Sequence, residues 1–199
     1  MRPYLGKRRP PHRTGLALFG LQNFQLYLDD PILAELGVSL TDCAVSMARM
    51  LALMHWEVKC DGRDVEFVLG GVPGSEGPPT LDTVDAHEMQ LWILDFNQVR
   101  TISMDEDGIR DAAEAFMIND PYYPRPLDTS EGGRRLWSLF RDAYLESSER
   151  LLELQRAEGQ VVKWQGLPEA FLEAIVEAQR HLVLKRERAH GSGAGSTYG

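Results

Sequence analysis

The sequence is poor in the features that staple a chain or anchor it in a membrane. It contains only two cysteines, Cys43 and Cys60, in 199 residues, too few for a disulfide framework or a cysteine-rich zinc site. Its longest apolar run falls far short of the roughly 18 residues that cross a bilayer, and the first residues have no apolar stretch typical of a signal peptide. We therefore expect one intracellular domain, cytoplasmic or nuclear, with no membrane partner.

Positive charge is also scarce. The 21 Lys and Arg residues are outnumbered by 30 Asp and Glu, which gives a formal net charge of -9 at pH 7. This balance argues against binding to bulk nucleic acid, because neutralising phosphates requires a basic surface. The N-terminus is the exception, since residues 1–13 carry five cations and no acid. We expect residues 1–15 to form a basic arm that is solvated and pairs with the acidic body, or that binds phosphate or a protein partner.

Residues 16–190 follow the patterns of a single, mainly helical domain. Helical spacing of apolar residues predicts one helix of about 14 residues after a cap at Thr41-Asp42, and a second that opens at the acidic patch 105–107. Longer helices are predicted over 131–157 and from Pro168 to residues 185–188. The small, polar residues 191–199 predict a disordered tail.

Short strands are predicted between these helices. Residues 23–28 alternate polar and apolar in strand fashion, and 65–69 have a second strand pattern. Residues 91–94 are apolar throughout, which predicts a strand buried on both faces. Glycine and proline predict a flexible loop over 70–80. The predicted fold class is mainly α with a small β-hairpin.

The segment Asn119–Pro126 is too rich in proline for regular structure. Its three prolines fix the backbone in extended or turn form, so we expect a rigid loop, which we call the Pro-Tyr loop. Its adjacent tyrosines, Tyr122 and Tyr123, either pack the loop against the body or offer a platform to a substrate or partner.

Three carboxylates have the spacing of a phosphoryl-transfer site. Asp61 lies in a tight loop after a helix, Glu66 belongs to the strand that follows, and Asp95 closes the next strand. Carboxylates that converge from the ends of adjacent strands can hold the hard cations that neutralise an in-line phosphoryl displacement. We therefore predict that Asp61 positions an acceptor hydroxyl, that Glu66 and Asp95 hold Mg²⁺, and that Arg63 contacts a phosphate bidentately.

This order of helix, loop aspartate, strand, strand and Asp-Phe resembles the C-terminal, helical lobe of protein-kinase-like folds, and the resemblance implies ATP as phosphate donor. No glycine-rich phosphate loop or nucleotide lysine is identifiable ahead of residue 23, so we expect the N-terminal lobe to be absent. The chain is then a truncated protein, or it does not use a nucleotide in the kinase manner. Local alternatives stay open, because Asp61 precedes Gly62 in a turn dipeptide and Glu66 fits an outward strand position.

Five blocks carry a second resemblance, and they read RPYLGKRR, NFQLYLDD, ALMHWEVKCDGRDVEFVLGG, LWILDFNQVR and NDPYYPRP. Across residues 2–155 the sequence resembles a fungal family of domains of unknown function whose members are often described as zinc-finger proteins. This resemblance implies a fungal source and no mechanism. We predict no zinc, because no recognised zinc spacing is formed by Cys43, Cys60, His12, His55 and His87.

Two functions remain from the sequence. The first is a phosphotransferase-like protein, active or inactive, that uses Mg²⁺ and ATP at Asp61, Glu66 and Asp95. The second is a non-catalytic interaction scaffold that binds a protein through the basic arm or the Pro-Tyr loop. Catalysis requires a metal site at the carboxylates, whereas a scaffold does not.

Overall fold

The computed structural model of this chain describes residues 1–9, 25–30, 37–71, 89–119, 121–159 and 166–193. Within them the fold is mainly helical, with one parallel and one antiparallel pair of short strands, which confirms the predicted class. None of the described helices is long and apolar enough to cross a membrane. In chain order the elements are β1 (Arg2–Tyr4), β2 (Gln25–Tyr27), α1 (Leu40–Leu53), a π-helical turn (Met54–Val58), β3 (Glu66–Gly71), β4 (Met89–Leu94), α2 (Glu106–Ile118), α3 (Glu131–Ala157) and α4 (Leu167–Gly193).

Side-chain caps fix where the helices begin. The Ser39 hydroxyl accepts a hydrogen bond from the Asp42 amide at 3.2 Å and so caps α1. The predicted cap at Thr41-Asp42 is wrong by two residues, because serine, threonine and aspartate all have capping side chains and the fold uses the first of them. Asp105 caps α2, as the acidic patch predicted, and α3 has the predicted bounds.

The last helix is longer than predicted. It continues to Gly193, past the expected end at residues 185–188, and takes in three residues of the expected tail. Cations near a helix C-terminus stabilise it by no more than about 1 kcal/mol, so they mark a favourable end without enforcing one. Residues 72–80 of the predicted loop, and 194–199 of the predicted tail, lie outside the described residues.

A buried aromatic cluster joins α2, α3, α4 and the Pro-Tyr loop. Tyr123 stacks on Phe116 with ring centroids 4.5 Å apart, and the rings of Phe140 and Phe171 lie 5.9 and 6.0 Å from Phe116. Tyr122 and Tyr123 are both buried. Of the two roles predicted for these tyrosines, packing is confirmed, and a platform for a partner stays a prediction.

Residues 1–9 pack against the body of the fold. β1 pairs in parallel with β2, and the amides of Leu5 and Gly6 donate hydrogen bonds to the carbonyls of Tyr122 and Pro121, at 3.1 and 2.9 Å. A side chain at Gly6 would meet the Tyr123 carbonyl at 2.5 Å, so the backbones touch. The expectation of a solvated arm is wrong for residues 3–5, which are consecutive apolar residues and are buried, whereas Lys7, Arg8 and Arg9 are exposed.

The cations of this segment pair with acids of the body, as the sequence predicted. The ion pairs join Arg2 to Glu66, Arg8 to Asp128 and Arg9 to Asp30. Residues 10–15 of the expected arm lie outside the described residues.

The strands β3 and β4 form the predicted antiparallel hairpin, with Val68 opposite Trp92. Phe67 and Leu69 point to the core and are buried, whereas Trp92 and Leu94 are 38% and 47% exposed. The prediction that residues 91–94 are buried on both faces is wrong. One face of the hairpin packs on the helices and the other is exposed. Because residues 91–94 are all apolar, the sequence does not show which of them face the core.

Candidate functional site

The end of α1 delivers Asp61 into the interior. The helix widens into a π-helical turn, after which Lys59 takes a left-handed conformation with φ 60° and ψ 50°. The Cys60 amide then closes the turn on the Met54 carbonyl at 2.9 Å, and Cys60 forms an isolated antiparallel bridge with Thr101. This reversal places Asp61 beside the chain that follows β4, where it is 2% exposed.

The carboxylate of Asp61 is engaged on both oxygens. Its Oδ1 accepts from the Arg63 amide at 3.0 Å and from the Arg100 amide at 2.9 Å. Its Oδ2 accepts from the Arg63 guanidinium at 3.4 Å. The Asp61 amide in turn donates to the Arg100 carbonyl at 2.9 Å. Asp61 therefore ties its own loop to the segment after β4, and no carboxylate oxygen faces solvent.

Arg63 is held inside the protein rather than aimed at a ligand. It is 8% exposed, and besides Asp61 its guanidinium donates to the Glu114 carboxylate on α2 at 3.2 Å. A buried guanidinium needs such partners because its charge is costly to leave unpaired. Arg63 thus links the loop to α2.

A second clamp comes from Asn119 at the end of α2. Its side-chain nitrogen donates to the Gly62 carbonyl at 2.9 Å, and its side-chain oxygen accepts from the Asp64 amide at 2.6 Å. Gly62 has φ +63°, a left-handed conformation that suits glycine because it lacks a Cβ. We call residues 61–65 the Asp61 loop, and these contacts make it rigid.

Glu66 and Asp95 lie at the same end of the hairpin, because Glu66 is opposite Leu94 in the register. Glu66 forms an ion pair with Arg2. Asp95 is exposed and has φ 61°. Within the described ranges, no group of three or more His, Cys, Asp or Glu side chains is placed to hold a metal ion, so Asp61, Glu66 and Asp95 do not form the three-carboxylate cluster that the sequence predicted.

His55 sits behind the Asp61 loop in the aromatic core. It is fully buried, its Nδ1 lies 2.9 Å from the Tyr144 hydroxyl, and the neighbouring Trp56 donates from Nε1 to the Ser148 hydroxyl at 2.7 Å. Burial lowers the pKa of His55 to about 3, although the Asp61 backbone raises that pKa in part. His55 is therefore neutral and packed.

The described residues do not fit a structural zinc site, which takes four ligands. Both cysteines are free and buried, and burial raises the pKa of Cys43 to about 11, against the thiolate that zinc requires. Cys60 is fixed in the bridge to Thr101. His12 and His87 lie outside the part of the chain that the structure describes.

The other surface of note is the outer face of the hairpin, which we define as Glu66, Val68, Gly70, Gln90, Trp92 and Leu94, with Phe96 just beyond β4. Three of its large apolar side chains are exposed, namely Trp92 (38%), Leu94 (47%) and Phe96 (53%). The indole of Trp92 lies over Gly70, since a Cβ at Gly70 would be 3.4 Å from it. Trp92 is thereby supported from below and open to solvent above.

Sequence reasoning did not find the partners of the Asp61 loop or this open face. The Asp61 carboxylate accepts a hydrogen bond from the Arg100 amide, 39 residues further along the chain. The Arg63 guanidinium donates to Glu114, which is 51 residues away. Neither contact leaves a local signal. The outer face does have a local signal. Gln90, the polar residue just before the apolar residues 91–94, is exposed and lies on the same face of the strand as Trp92.

Part of the chain matches a family model. Residues 91–156 match DUF3669, a family described as a zinc finger protein. The matched part runs from β4 to the end of α3, covers about a third of the chain and leaves the Asp61 loop outside. It supports the resemblance to a family of domains of unknown function; the fungal source stays a prediction.

No curated protein matches this chain, and no solved structure does either. The kinase-like arrangement therefore stays a prediction as well.

Proposed function

We propose that this chain is a non-catalytic protein-interaction domain that binds its partner at the outer face of the hairpin. The observation that carries the proposal is the exposure of Trp92, Leu94 and Phe96 within five residues of each other. Clusters of exposed large apolar side chains mark interaction sites more often than free surface. Tryptophan and phenylalanine are also enriched in the cores of protein interfaces.

The Asp61 loop gives this face a rigid support. β3 follows the loop directly, and the loop is tied to α2 and to the segment after β4 through Arg63, Asn119 and Arg100. Binding at a preformed face does not have to order the chain, so more of the interaction energy appears as affinity. The residues predicted to be catalytic would then serve binding by holding the hairpin in place.

A catalytic role for Asp61 has less support. A general base must come within hydrogen-bond reach of the proton that it abstracts, and the Asp61 carboxylate is 2% exposed and engaged on both oxygens. The Arg63 guanidinium is likewise engaged, because it donates to the carboxylates of Asp61 and Glu114. The arrangement favours a scaffold over an acceptor site.

Capture from a cell lysate tests the proposal. The wild-type chain, a Trp92→Glu/Phe96→Glu variant and a Leu154→Glu control are immobilised, and the retained proteins are quantified by mass spectrometry. Leu154 on α3 is 55% exposed, so the control adds a charge to a different exposed apolar site. We expect the hairpin variant to retain its specific partner at least about tenfold less, which corresponds to 1.4 kcal/mol. Equal retention by all three proteins would contradict the proposal.

A phosphotransferase-like role is the second candidate, supported by Glu66 and Asp95 at one end of the hairpin. Mg²⁺ often binds through only one or two carboxylates together with substrate phosphates, so two carboxylates are enough in principle. Glu66 would have to release Arg2. A thermal-shift titration with Mg²⁺ and ATP tests this role on the wild type, on Asp95→Ala and on the exposed control Asp111→Ala. Stabilisation lost only in Asp95→Ala would favour this candidate, and no shift in any protein would favour the interaction domain.

A further inference from the structure

We infer that the outer edge of β4 pairs with the β4 strand of a second copy of this chain, in antiparallel orientation. The inference goes beyond the proposed function, because it concerns the edge of β4 rather than the outer face of the hairpin, and pairing at this edge would join two outer faces into one surface for the partner.

Among the described residues, the strand ladder that contains β3 ends at β4. Among the described strands, β4 pairs only with β3. The opposite edge of β3 is held at Leu69, whose amide donates to the Met1 carbonyl at 2.7 Å and whose carbonyl accepts from the Met1 amino group at 2.9 Å. β1 then pairs with β2. Within the part of the chain that the structure describes, the outer edge of β4 thus presents a row of backbone N–H and C=O groups to a further strand.

This edge lacks the usual protection against pairing. Native edge strands carry charged residues, proline or bulges that discourage another strand from joining. β4 is six residues long, reads Met-Gln-Leu-Trp-Ile-Leu and contains none of these, and its register with β3 is continuous from Met89 to Leu94. An unprotected apolar edge is expected either to aggregate or to have a partner.

A second copy matches this edge in shape. Antiparallel pairing about a twofold axis is self-complementary and closes after two chains. With the axis near Trp92, the two Trp92 side chains face each other and Leu94 lies opposite Gln90 of the other copy. Aromatic pairs across strands stabilise such ladders. The two outer faces then join into one continuous apolar surface.

Charge selects the antiparallel orientation. Each chain carries a net charge of -9, so two copies repel unless their acids stay apart at the contact. The strand itself is uncharged, and Asp95 follows it directly. Antiparallel pairing puts the two Asp95 residues at opposite ends, roughly 20 Å apart at about 3.4 Å per residue, which is beyond the Debye length of about 8 Å at physiological salt. Parallel pairing would place them side by side.

The contact is small, so the dimer is expected to be weak. Two six-residue strands and a few side chains bury less than about 1,200 Å² in total, which is the range of transient complexes. Salt should strengthen the dimer, because salt screens the repulsion between the acidic bodies.

Sedimentation equilibrium of the full chain, from about 1 µM to about 1 mM, spans the dissociation constants of weak complexes. We expect the mass to rise with concentration toward twice the 22.4 kDa of the chain. Trp92→Glu and Leu94→Glu should each keep the mass of one chain: the first places two like charges opposite each other, and the second adds a negative charge at each end of the short ladder, opposite Gln90 of the other copy. The control Leu182→Glu, at a site on α4 that is 43% exposed, should dimerise as the wild type does. Circular dichroism confirms that each variant is folded.

The inference is overturned if the wild type stays monomeric throughout, or if folded Trp92→Glu and Leu94→Glu dimerise normally. A monomeric wild type that still loses its captured partner on Trp92→Glu/Phe96→Glu would leave the proposed interaction domain standing. Higher oligomers without a dimer plateau would also overturn the closed twofold contact, since they indicate open aggregation.

Discussion

The Asp61 loop and the outer face of the hairpin adjoin each other along the chain and have opposite environments. Asp61 is a charged side chain that is 2% exposed and fully hydrogen-bonded. Trp92 is a large apolar side chain that is 38% exposed. A buried charge needs hydrogen-bond or ion-pair partners that replace its hydration. An exposed tryptophan leaves apolar surface in contact with water, and such surface is available to bind a partner. The loop is therefore best understood as support, and the face as the surface left for binding.

The largest expected effect is loss of the Asp61 carboxylate. Asp61→Ala removes the acceptor of two backbone amides and leaves the Arg63 guanidinium, among the described residues, with Glu114 as its remaining ion-pair partner. We expect the free energy of unfolding to fall by roughly 3 to 5 kcal/mol, the cost of breaking a buried ion pair from one side. Urea unfolding measures it. A loss below about 1 kcal/mol would mean that the loop does not support the fold.

The next effect is a pH dependence from His55. Its pKa is lowered to about 3 in the folded chain, from 6.5, so the unfolded chain binds the proton more tightly. The contribution of His55 to stability is complete above pH 6.5 and is lost as the pH falls from 6.5 toward 3. The loss is about 1.4 kcal/mol per pH unit, or about 3 kcal/mol at pH 4.

Unfolding measured at several pH values on the wild type and on His55→Gln isolates this effect, because the other titrating groups are common to both proteins. We expect the wild type to lose stability more steeply between pH 6.5 and pH 4. Parallel pH profiles would contradict the buried, neutral state of His55.

A smaller effect separates two glycines, Gly62 in the Asp61 loop and Gly71 at the end of β3. Gly62 has φ +63° and its Cβ would lie 3.3 Å from Leu51, whereas a Cβ at Gly71 would meet nothing within 4 Å. We expect Gly62→Ala to cost about 1 to 2 kcal/mol, the strain of a left-handed residue, and Gly71→Ala to stay within about 0.5 kcal/mol. Thermal unfolding of the two matched variants checks it. Equal melting temperatures of the two variants would contradict the expectation that the backbone at Gly62 is more constrained than the backbone at Gly71.

The smallest expected effect on stability is at the outer face itself. Leu94→Glu replaces a side chain that is 47% exposed, so we expect the free energy of unfolding to change by no more than about 0.5 kcal/mol. The same variant is expected to abolish pairing through β4. A loss of several kcal/mol in unfolding would show that the face is part of the core.

Local signals in the sequence predict the helices well. The bounds 131–157 coincide with α3, because amphipathic periodicity and a serine cap are properties of neighbouring residues. The start of α1 is less determined, since Ser39, Thr41 and Asp42 are all capping residues. The hairpin and the loop aspartate also follow from local pattern.

The contacts of the candidate site depend on residues far apart in the chain. Whether Asp61 positions an acceptor hydroxyl or accepts from backbone amides is decided by the position of Arg100. Whether Arg63 binds phosphate or a carboxylate is decided by Glu114 on another helix. Residues 91–94 are apolar at every position, so composition alone does not reveal which face of β4 is covered. Tertiary packing sets both outcomes, and the sequence pattern is compatible with either.

Residue-resolved hydrogen exchange tests the contrast between the two regions most directly. The Arg63 and Arg100 amides both donate to Asp61 Oδ1, so we expect them to exchange only through global unfolding. The β4 amides that face away from β3 are expected to exchange rapidly in dilute solution and to become protected as the chain concentration rises. Rapid exchange at Arg63 and Arg100, with β4 protected in dilute solution, would contradict the account.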